Sequence, residues 1–424
     1  MKKMKLQKIL NHFQKLHPKE IDLSLNRIKS ICHKLGNPQD KIKAISVVGT
    51  NAKYSTINAI FTILKEAKIL CNVYTSPHIQ KINERFIFNN KMLTDDELIH
   101  LLEEVENIND NNPLTFFEAL TACFFYKAAQ YPKNLNLIEA GLFHRFDATN
   151  ILKNNIASIV CSISKDHLDW LPKNKQTIEK IIFEKTSSLL NSNIIVSKQN
   201  SSKTTECIKK TILKNSSKKL FFNEDFTYSS GENGFFYYED KFGGLKLPLP
   251  NILGQFQLEN ISTAIATVRQ LNMNIKNEDI KNGISKIKSI ARLQEIKSGK
   301  LKDIIKNNRL LLDGSHNEDG SRVLNEYLQT LNCKKHVIIG MMSNKDHEKY
   351  ISYFKDISSL TTIDIPNQPN AISGKALKEK FKKIPNVQYK KNIQEAIRSV
   401  SLKKDDLLII TGSLYLCGEF LNLN

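Results

Sequence analysis

Lys53 followed closely by Ser55 and Thr56, in the stretch VVGTNAKYST at 47–56, is the first grouping with evident chemistry. An apolar run meets Gly49, passes through Thr50 and Asn51, and enters a helix-compatible segment. A loop that opens a helix offers backbone N–H groups and the positive end of the helix dipole to phosphate; a lysine there reaches the outer phosphates and a hydroxyl follows. Such loops favour glycine, yet Ala52 and Tyr54 occupy two of its places. Taken alone, the stretch reads equally as a phosphate cradle and as an ordinary strand-to-helix turn with an exposed lysine.

Other polar groups also close apolar runs. YTSPHIQKINERFIF (74–88) supplies Thr75, Ser76, Pro77, His78, Asn83, Glu84 and Arg85, and balances between a ligand loop and a solvated one. IEAGLFHRFDATN brings Glu139, Arg145 and Asp147, and SISKDHLDWL brings Asp166, His167 and Asp169. A strand-end glutamate and histidine can share a divalent cation, because Mg²⁺ accepts one or two protein ligands and completes its shell with phosphate oxygens and water. In LLLDGSHNEDG, Asp313, His316 and Asn317 suit ribose hydroxyls and phosphate, or simply cap a helix. Lys185, in FEKTSS, reads by itself as one lysine among many.

Positioning these groups requires a sheet with helices between its strands. AISVVG, LCNVYTS and LNLIEAG alternate with segments of helical period at 55–68, at TDDELIHLLEEVENI, where Thr94 and Glu97 have capping-box spacing, and at TFFEALTACFFYKAAQ. Strands at 156–163 and 193–197, flanking a helix near 177–190, extend this βαβ order. Residues 214–250 read as a β excursion of hairpins rich in Gly, Tyr and Phe, followed by the helical LENISTAIATVRQLN. Alternation resumes with RLLLDGS, KHVIIGMM, LTTIDIP and DLLIITGS and a helix at 372–383. The expected division is therefore an α/β domain over 1–296 and a smaller α/β domain over 297–424.

With 62 Lys and Arg against 43 Asp and Glu, the chain of 424 residues carries a formal charge of +19. The lysines are spread out and no basic patch is interleaved with aromatics, so the expectation is small anionic partners and no nucleic acid. Seven scattered cysteines, none in a CxxC pair, fit reduced thiols in the cytoplasm. The basic start MKKMKLQKILNHFQKLHPKE lacks a signal peptide's apolar core, and no run approaches a membrane span.

The order of the motifs, LGNPQ, VVGTNAKYST, YTSPHIQKINER, LTFFEALTACFF, IEAGLFHRFDATN, DHLDWL, FEKT, GQFQLENISTAIA, ARLQE, LDGSHN and TGSLYLCGE, resembles the folylpolyglutamate synthase/dihydrofolate synthase branch of the Mur ligase superfamily from about residue 20 to 420. The resemblance implies a P-loop-type central ATPase domain and a smaller Rossmann-like C-terminal domain, with the active site in a cleft, in a monomer. It implies that ATP phosphorylates a carboxylate of dihydropteroate or a reduced folate, and that L-glutamate's amine displaces the phosphate. Residues 49–56 would hold the triphosphate, with Lys53 on its outer end. Ser76, Glu139, His167 and a carbamate on Lys185 would bind two Mg²⁺ ions. Asn260 would contact adenine, Arg292 and His316 phosphate, and Asp313 ribose. Thr75 to His78, Arg85, Thr115, Phe116, Phe117, Glu118, Arg145 and Asp147 would face the pterin substrate.

Departures from the family pattern concentrate around phosphate: Ala52 and Tyr54 replace glycines, as do Phe143, His144 and Pro172, and Phe256 replaces a histidine. Replacing a glycine held at positive φ costs roughly 1–2 kcal/mol, about tenfold in affinity. The expectation is an active, slower ligase. The alternatives are a catalytically weakened folate- or nucleotide-binding relative and another Mur-type amide ligase.

Overall fold

The computed structural model describes residues 2–19, 22–384 and 386–424. The chain forms two compact units. The first comprises Met1–Ile163, Thr177–Pro250 and Leu258–Ile287; the second comprises Ser164–Gln176, Asn251–Gln257 and Lys288–Asn424. This division differs from a single cut at 296/297, because two short excursions from the middle of the chain belong to the second unit. Neither excursion contains a strand, so the rhythm of apolar runs that suggested the cut carries no trace of them.

The first unit is built on eight strands: β1 (Lys43–Val48), β2 (Cys71–Tyr74), β3 (Phe86–Phe88), β4 (Lys91–Met92), β5 (Leu135–Glu139), β6 (Asn155–Val160), β7 (Asn193–Val196) and β8 (Lys219–Phe221). They lie in the order β4-β3-β2-β5-β1-β6-β7-β8. From β2 to β8 every neighbouring pair is parallel, whereas β3 and β4 add an antiparallel edge. All five residues of β5 are buried, and so are the last five of β1, as expected of parallel strands covered on both faces. The chain leaves β1 towards β2 and returns through β5 to β6. The carboxyl ends of β1, β5 and β6 thus mark the topological switch, where α/β sheets place their ligands.

Local sequence explains the helices around this point. Thr94 and Thr115 each form a reciprocal capping box, with Glu97 and Glu118, to start helices Asp95–Asn109 and Phe116–Ala128. Helix Lys53–Glu66 lies so close to helix Asn277–Ser285 that a Cβ on Gly283 would come within 2.7 Å of the Ile63 backbone. The basic N-terminal stretch forms helix Lys2–Lys15, which buries Leu6, Leu10 and Phe13 and pairs Lys5 with Glu103 and His12 with Glu106, both at 2.8 Å. Among the described residues no helix is long and apolar enough to cross a membrane.

The β excursion divides. Its first strand, β8, joins the central sheet in parallel with β7, and only β9 (Phe226–Ser230), β10 (Phe235–Asp240) and β11 (Gly243–Pro248) form a separate antiparallel sheet. The short KLF of β8 gave no period of its own by which to tell it from the hairpins.

The second unit carries β12 (Gln294–Glu295), β13 (Arg309–Leu312), β14 (Lys335–Ile339), β15 (Ile357–Ile363), β16 (Val387–Lys390) and β17 (Leu407–Thr411) in the order β12-β13-β17-β14-β15-β16. All neighbours are parallel except β12 with β13. Its core gathers Leu311, Val337, Ile339, Leu360, Leu407 and Ile409 from the strands with Leu324, Leu328, Tyr350 and Leu377 from the helices, and Phe381 from a helix C-cap. The expected helix at 372–383 runs Gly374–Lys380, capped by Ser373.

Candidate active site

The loop after β1 is shaped by sterics. Gly49 has φ 151°, and a Cβ there would lie 2.8 Å from the Cβ of Cys161, which follows β6. The amides of Thr50 and Asn51 both donate to the Ser162 carbonyl, at 2.8 and 3.2 Å. Ala52 adopts the left-handed conformation, φ 70° and ψ −9°, and makes no side-chain cap for the helix Lys53–Glu66 that it precedes. Tyr54 sits in the first helical turn, half-buried, with ordinary backbone angles. The N-terminus of this helix, with its dipole, therefore faces the loop at the carboxyl end of β1.

Lys53 turns back over the loop, its Nζ donating to the carbonyls of Gly49 (3.2 Å) and Thr50 (3.1 Å) and standing 3.9 Å from Glu139 Oε1. Lys185, 3% exposed on helix Ile178–Thr186, donates to the same Gly49 oxygen at 3.0 Å and to the Leu142 carbonyl at 2.7 Å. Two ammonium groups thus share one carbonyl. Glu139 closes β5 in the strand position adjacent to β1, and its Oε2 accepts from the Ser76 amide at 3.0 Å. Ser55 and Thr56 are buried, and Thr56 Oγ1 accepts from the Cys161 thiol at 3.5 Å, which commits Thr56 to the packing beneath the loop. Burial pushes that thiol up to about 12, so it stays protonated and inert.

Beyond Ser76, the loop holds its shape through Glu84, whose carboxylate accepts from the amides of Ile79, Gln80 and Lys81 at 2.7, 2.9 and 2.8 Å. Thr75 is buried, Pro77 exposed, and the Arg85 Nε donates to His78 Nδ1 at 3.0 Å. Burial, and then the Arg85 charge, lower His78 to about 4, so it is a neutral ring at ordinary pH. Thr115 and Glu118 are spent on their capping box. Glu118 also takes a two-pronged ion pair from Arg27, at 2.9 and 3.0 Å, which gives it a structural duty. Phe117 stacks on Tyr74 with centroids 5.9 Å apart, and its ring would lie 3.0 Å from a Cβ on Gly141; Phe116 lies under Arg85 at 6.0 Å.

Asp147 organises the segment after β5. Its Oδ2 accepts from the amides of Gly141 and Leu142 at 3.0 and 3.2 Å, and its Oδ1 accepts from the Thr149 amide and hydroxyl at 3.0 and 2.6 Å. Burial raises its pKa in spite of these bonds. His144 is buried against Ser188 at 3.0 Å and lowered to about 4, first by burial and then by Lys185. Arg145 pairs with Glu184 at 3.0 Å, its guanidinium 4.4 Å from the Phe146 ring and 5.3 Å from that of Phe183. Asn260, on helix Phe256–Gln270, is 7% exposed.

The second unit assembles its own polar centre. Asp166 Oδ1 accepts from Lys345 Nζ at 2.7 Å, and Oδ2 from Asn317 Nδ2 at 3.0 Å. The Nε2 atoms of His167 and His316 lie 3.7 and 3.8 Å from Oδ2. Burial alone would raise the Asp166 carboxyl, but His167, Lys345 and His316 hold it well below the usual range. His316 binds the Gly314 carbonyl through Nδ1 at 2.9 Å, and burial, then Lys345, lower it to about 4. Asp313, 5% exposed, accepts from the amides of Leu293 (2.8 Å) and Ser315 (2.9 Å). Arg292 lies between Ala291 and Leu293, both at positive φ, and donates to the Ala291 carbonyl at 3.0 Å. Lys345 escaped the sequence reading. Its signal was available, for it stands in the polar run SNKDH just past the carboxyl end of β14.

Gly49 to Thr56, Ser76, Glu139, Asp147 and Lys185 thus form one connected network in the first unit, and Asp166, His167, His316 and Asn317 another in the second. Among the described residues no group of three or more His, Cys, Asp or Glu could hold a metal ion by itself.

The family model for the dihydrofolate synthetase C-terminal domain matches residues 294–423. The chain is 27% identical over 418 residues to the dihydrofolate synthase/folylpolyglutamate synthase of Bacillus subtilis, covering 93% of both chains. To the Haemophilus influenzae protein of the same name it is 26% identical, covering 97% of this chain and 95% of the relative. The folylpolyglutamate synthase of Lacticaseibacillus casei is 27% identical, with 92% of each chain covered. Among solved structures, Escherichia coli FolC in complex with DHPP and ADP superimposes with a TM-score of 0.87 at 24% identity, over 98% of this chain and 97% of that one. The Mycobacterium tuberculosis folylpolyglutamate synthase complexed with ADP and AMPPCP gives 0.85 at 21% identity, over 100% and 99%. Motif order, a glycine-pinned loop under two lysines and matches that run nearly end to end agree: the chain is similar throughout to dihydrofolate synthases/folylpolyglutamate synthases.

Proposed function

We propose that the protein is an ATP-dependent ligase that joins L-glutamate to dihydropteroate, to the glutamate tail of a reduced folate, or to both. The observation that carries this reading is the loop at 49–56, where Lys53 and Lys185 converge on the Gly49 oxygen beside Glu139. A carboxylate is a poor electrophile until one oxygen becomes a phosphate leaving group, and bringing it to a triphosphate sets two anions together. The two lysines and the helix N-terminus offset that repulsion in the first unit. Phosphorylation of the carboxylate gives an acyl phosphate and ADP; attack by the glutamate amine then gives the amide and phosphate.

The donors suit a divalent cation that arrives with the nucleotide. Glu139 supplies one buried carboxylate and Ser76 one hydroxyl, and phosphate oxygens and water would complete the shell of Mg²⁺, whose charge would draw electron density from the phosphoryl group. The neighbouring Yersinia pestis structure, 23% identical, is complexed with AMPPNP and Mn, and another neighbouring bifunctional folylpolyglutamate synthase/dihydrofolate synthase, also 23% identical, has Mn, AMPPNP and L-glutamate bound. His167 as a further ligand, a second ion, and the roles of Asn260, Arg292, Asp313 and His316 towards the nucleotide rest on the family resemblance. So do those of the Thr75–His78 loop, Arg85, Phe116, Phe117, Arg145 and Asp147 towards the pterin.

The test is phosphate release from ATP and Mg²⁺ in the presence of dihydropteroate and L-glutamate, with product masses read after adding tetrahydrofolate. Release that requires both acceptor and glutamate supports the reading, and the masses show which carboxylates are extended. ATP binding without release above background rejects it in favour of a non-catalytic relative.

A further inference from the structure

We propose that Arg27 is a positioning residue for the carboxylate substrate: its guanidinium, forked onto Glu118, fixes the first turn of helix Phe116–Ala128 and with it the rings of Phe116 and Phe117. The inference rests on the ligase reading and on dihydropteroate lying against those two rings.

Glu118 is 4% exposed, and its carboxylate has two tasks. Oε2 accepts from the Thr115 amide at 2.8 Å, which closes the capping box, and from Arg27 Nε at 2.9 Å; Oε1 accepts from Arg27 Nη2 at 3.0 Å. Arg27 is anchored from behind, Nη1 donating to Asp22 Oδ2 at 2.7 Å and Nη2 to the Asp22 carbonyl at 2.8 Å. Two N–H groups forked onto one carboxylate fix its direction as well as its place, which the point charge of a lysine does not. The helix Asn26–Lys34 that carries Arg27 has no side-chain cap of its own. It is held by burying Ile28, Ile31 and Cys32 in the same core as Ala119, Leu120 and Cys123. That apolar contact does not depend on Arg27, so what the guanidinium adds is the setting of one helical turn.

The turn it sets carries both aromatic residues. Phe117 stacks on Tyr74, and its carbonyl accepts at 2.7 Å from Thr121 Oγ1, which lies 3.1 Å from the Tyr74 hydroxyl. The Phe117 ring and Asp147 Oδ2 together crowd Gly141, at 3.0 and 2.9 Å from where a Cβ would stand. Phe116 is half-buried, its ring centroid 6.0 Å from the Arg85 guanidinium. Any displacement of the turn therefore moves two rings relative to Asp147, which the resemblance places against the same substrate. Among the described residues neither Arg27 nor Glu118 bonds to the loop at 49–56, so the nucleotide end of the site does not share this support.

Calorimetry on the intact protein gives the readout, with dihydropteroate and ADP as the two ligands. Arg27→Lys keeps the charge and loses the fork. It is expected to bind dihydropteroate about tenfold more weakly, the scale of one displaced aromatic contact, and ADP within about twofold of the wild type. In phosphate release the same variant is expected to raise KM for dihydropteroate while kcat stays within about twofold, the pattern of lost uniform binding. Added guanidinium is expected to restore the dihydropteroate affinity of Arg27→Ala, and ethylammonium, which lacks the fork, is not. Unchanged dihydropteroate affinity in Arg27→Lys overturns the proposal. So does an equal loss for both ligands, which marks general damage to the fold. Should Arg27→Ala fail to fold, combining it with Glu118→Gln removes the unpaired carboxylate and keeps an acceptor for the Thr115 amide: dihydropteroate weakened with ADP retained supports the proposal, and both retained overturns it. These outcomes leave the ligase reading standing. A wild type that neither binds dihydropteroate nor releases phosphate rejects that reading, and this inference falls with it.

Discussion

Ala52→Gly is expected to make the protein more stable, although it removes a methyl group and loosens the unfolded chain. At φ 70° and ψ −9° the Ala52 Cβ is crowded by its own backbone. A non-glycine residue in the left-handed region costs roughly 1–2 kcal/mol. Against this, glycine makes the unfolded state more favourable by about 0.4–1 kcal/mol. The net expectation is a gain of about 0.5–1 kcal/mol, which for a unit of this size raises the thermal midpoint by roughly 1–3 °C. Ala52→Val should move the other way by a larger amount, because a β-branched side chain tolerates positive φ less well. Urea denaturation of the three proteins, with and without ADP, separates two cases. If the loop keeps its shape when phosphate binds, strain is the same in free and bound states and ADP affinity changes by less than about threefold. If the loop leaves φ 70° when empty, Ala52→Gly tightens ADP by up to about tenfold, the full strain. An unchanged or lowered midpoint for Ala52→Gly, with Ala52→Val also neutral, would refute the claim that this residue is held in the left-handed region.

Gly49→Ala places a Cβ 2.8 Å from that of Cys161 at φ 151°, and should cost about 2–4 kcal/mol in denaturation and abolish detectable ADP binding. His144, lowered to about 4 by burial, binds its proton more readily in the unfolded chain, so its contribution is complete above about pH 6.5 and is lost as pH falls towards 4. The wild type should lose roughly 3 kcal/mol across that window through this residue, and His144→Asn should show a correspondingly shallower pH dependence of the urea midpoint. Asp166→Asn strips Lys345, its partner at 2.7 Å, of a buried counter-charge, and should destabilise by about 3–5 kcal/mol. Adding Lys345→Met to it should recover most of that loss, measured by the same denaturation.

Most of the parallel strands were legible as elements because each is a short apolar run bounded by turn residues, whereas their order across the sheets was given only by the structure. β8 was not legible, since KLF is too short to show a period and its pairing with β7 is a long-range fact. The excursions Ser164–Gln176 and Asn251–Gln257 were invisible for a related reason: which body a strandless segment packs with is decided by tertiary contacts. Residue types singled out Glu139, His167, Asp313 and His316, and the structure places each at or beyond the carboxyl end of a strand of its own unit or of the run that leads to it. The partners that fix their charge were hidden. Arg27 on Glu118 and Lys345 on Asp166 bridge 91 and 179 residues. No local pattern announces a cation that far away, least of all in a chain where lysine is everywhere.

The same distinction between local and long-range causes explains which glycines this chain lost. Gly49 and Gly141 remain, and at each a Cβ would meet rigid neighbours, the Cys161 main chain in one case and Asp147 Oδ2 with the Phe117 ring in the other. At 54 the backbone is helical, so no conformational demand for glycine exists and the question is only room for a ring. At 143 and 144 the new side chains point into the interior, where Phe143 meets Lys185 and His144 meets Ser188. Ala52 alone violates a backbone preference, and alanine is the residue that does so with the smallest side chain. Substitution has therefore spared the positions where sterics forbid it and settled where either space or a tolerable strain of roughly 1–2 kcal/mol allows it.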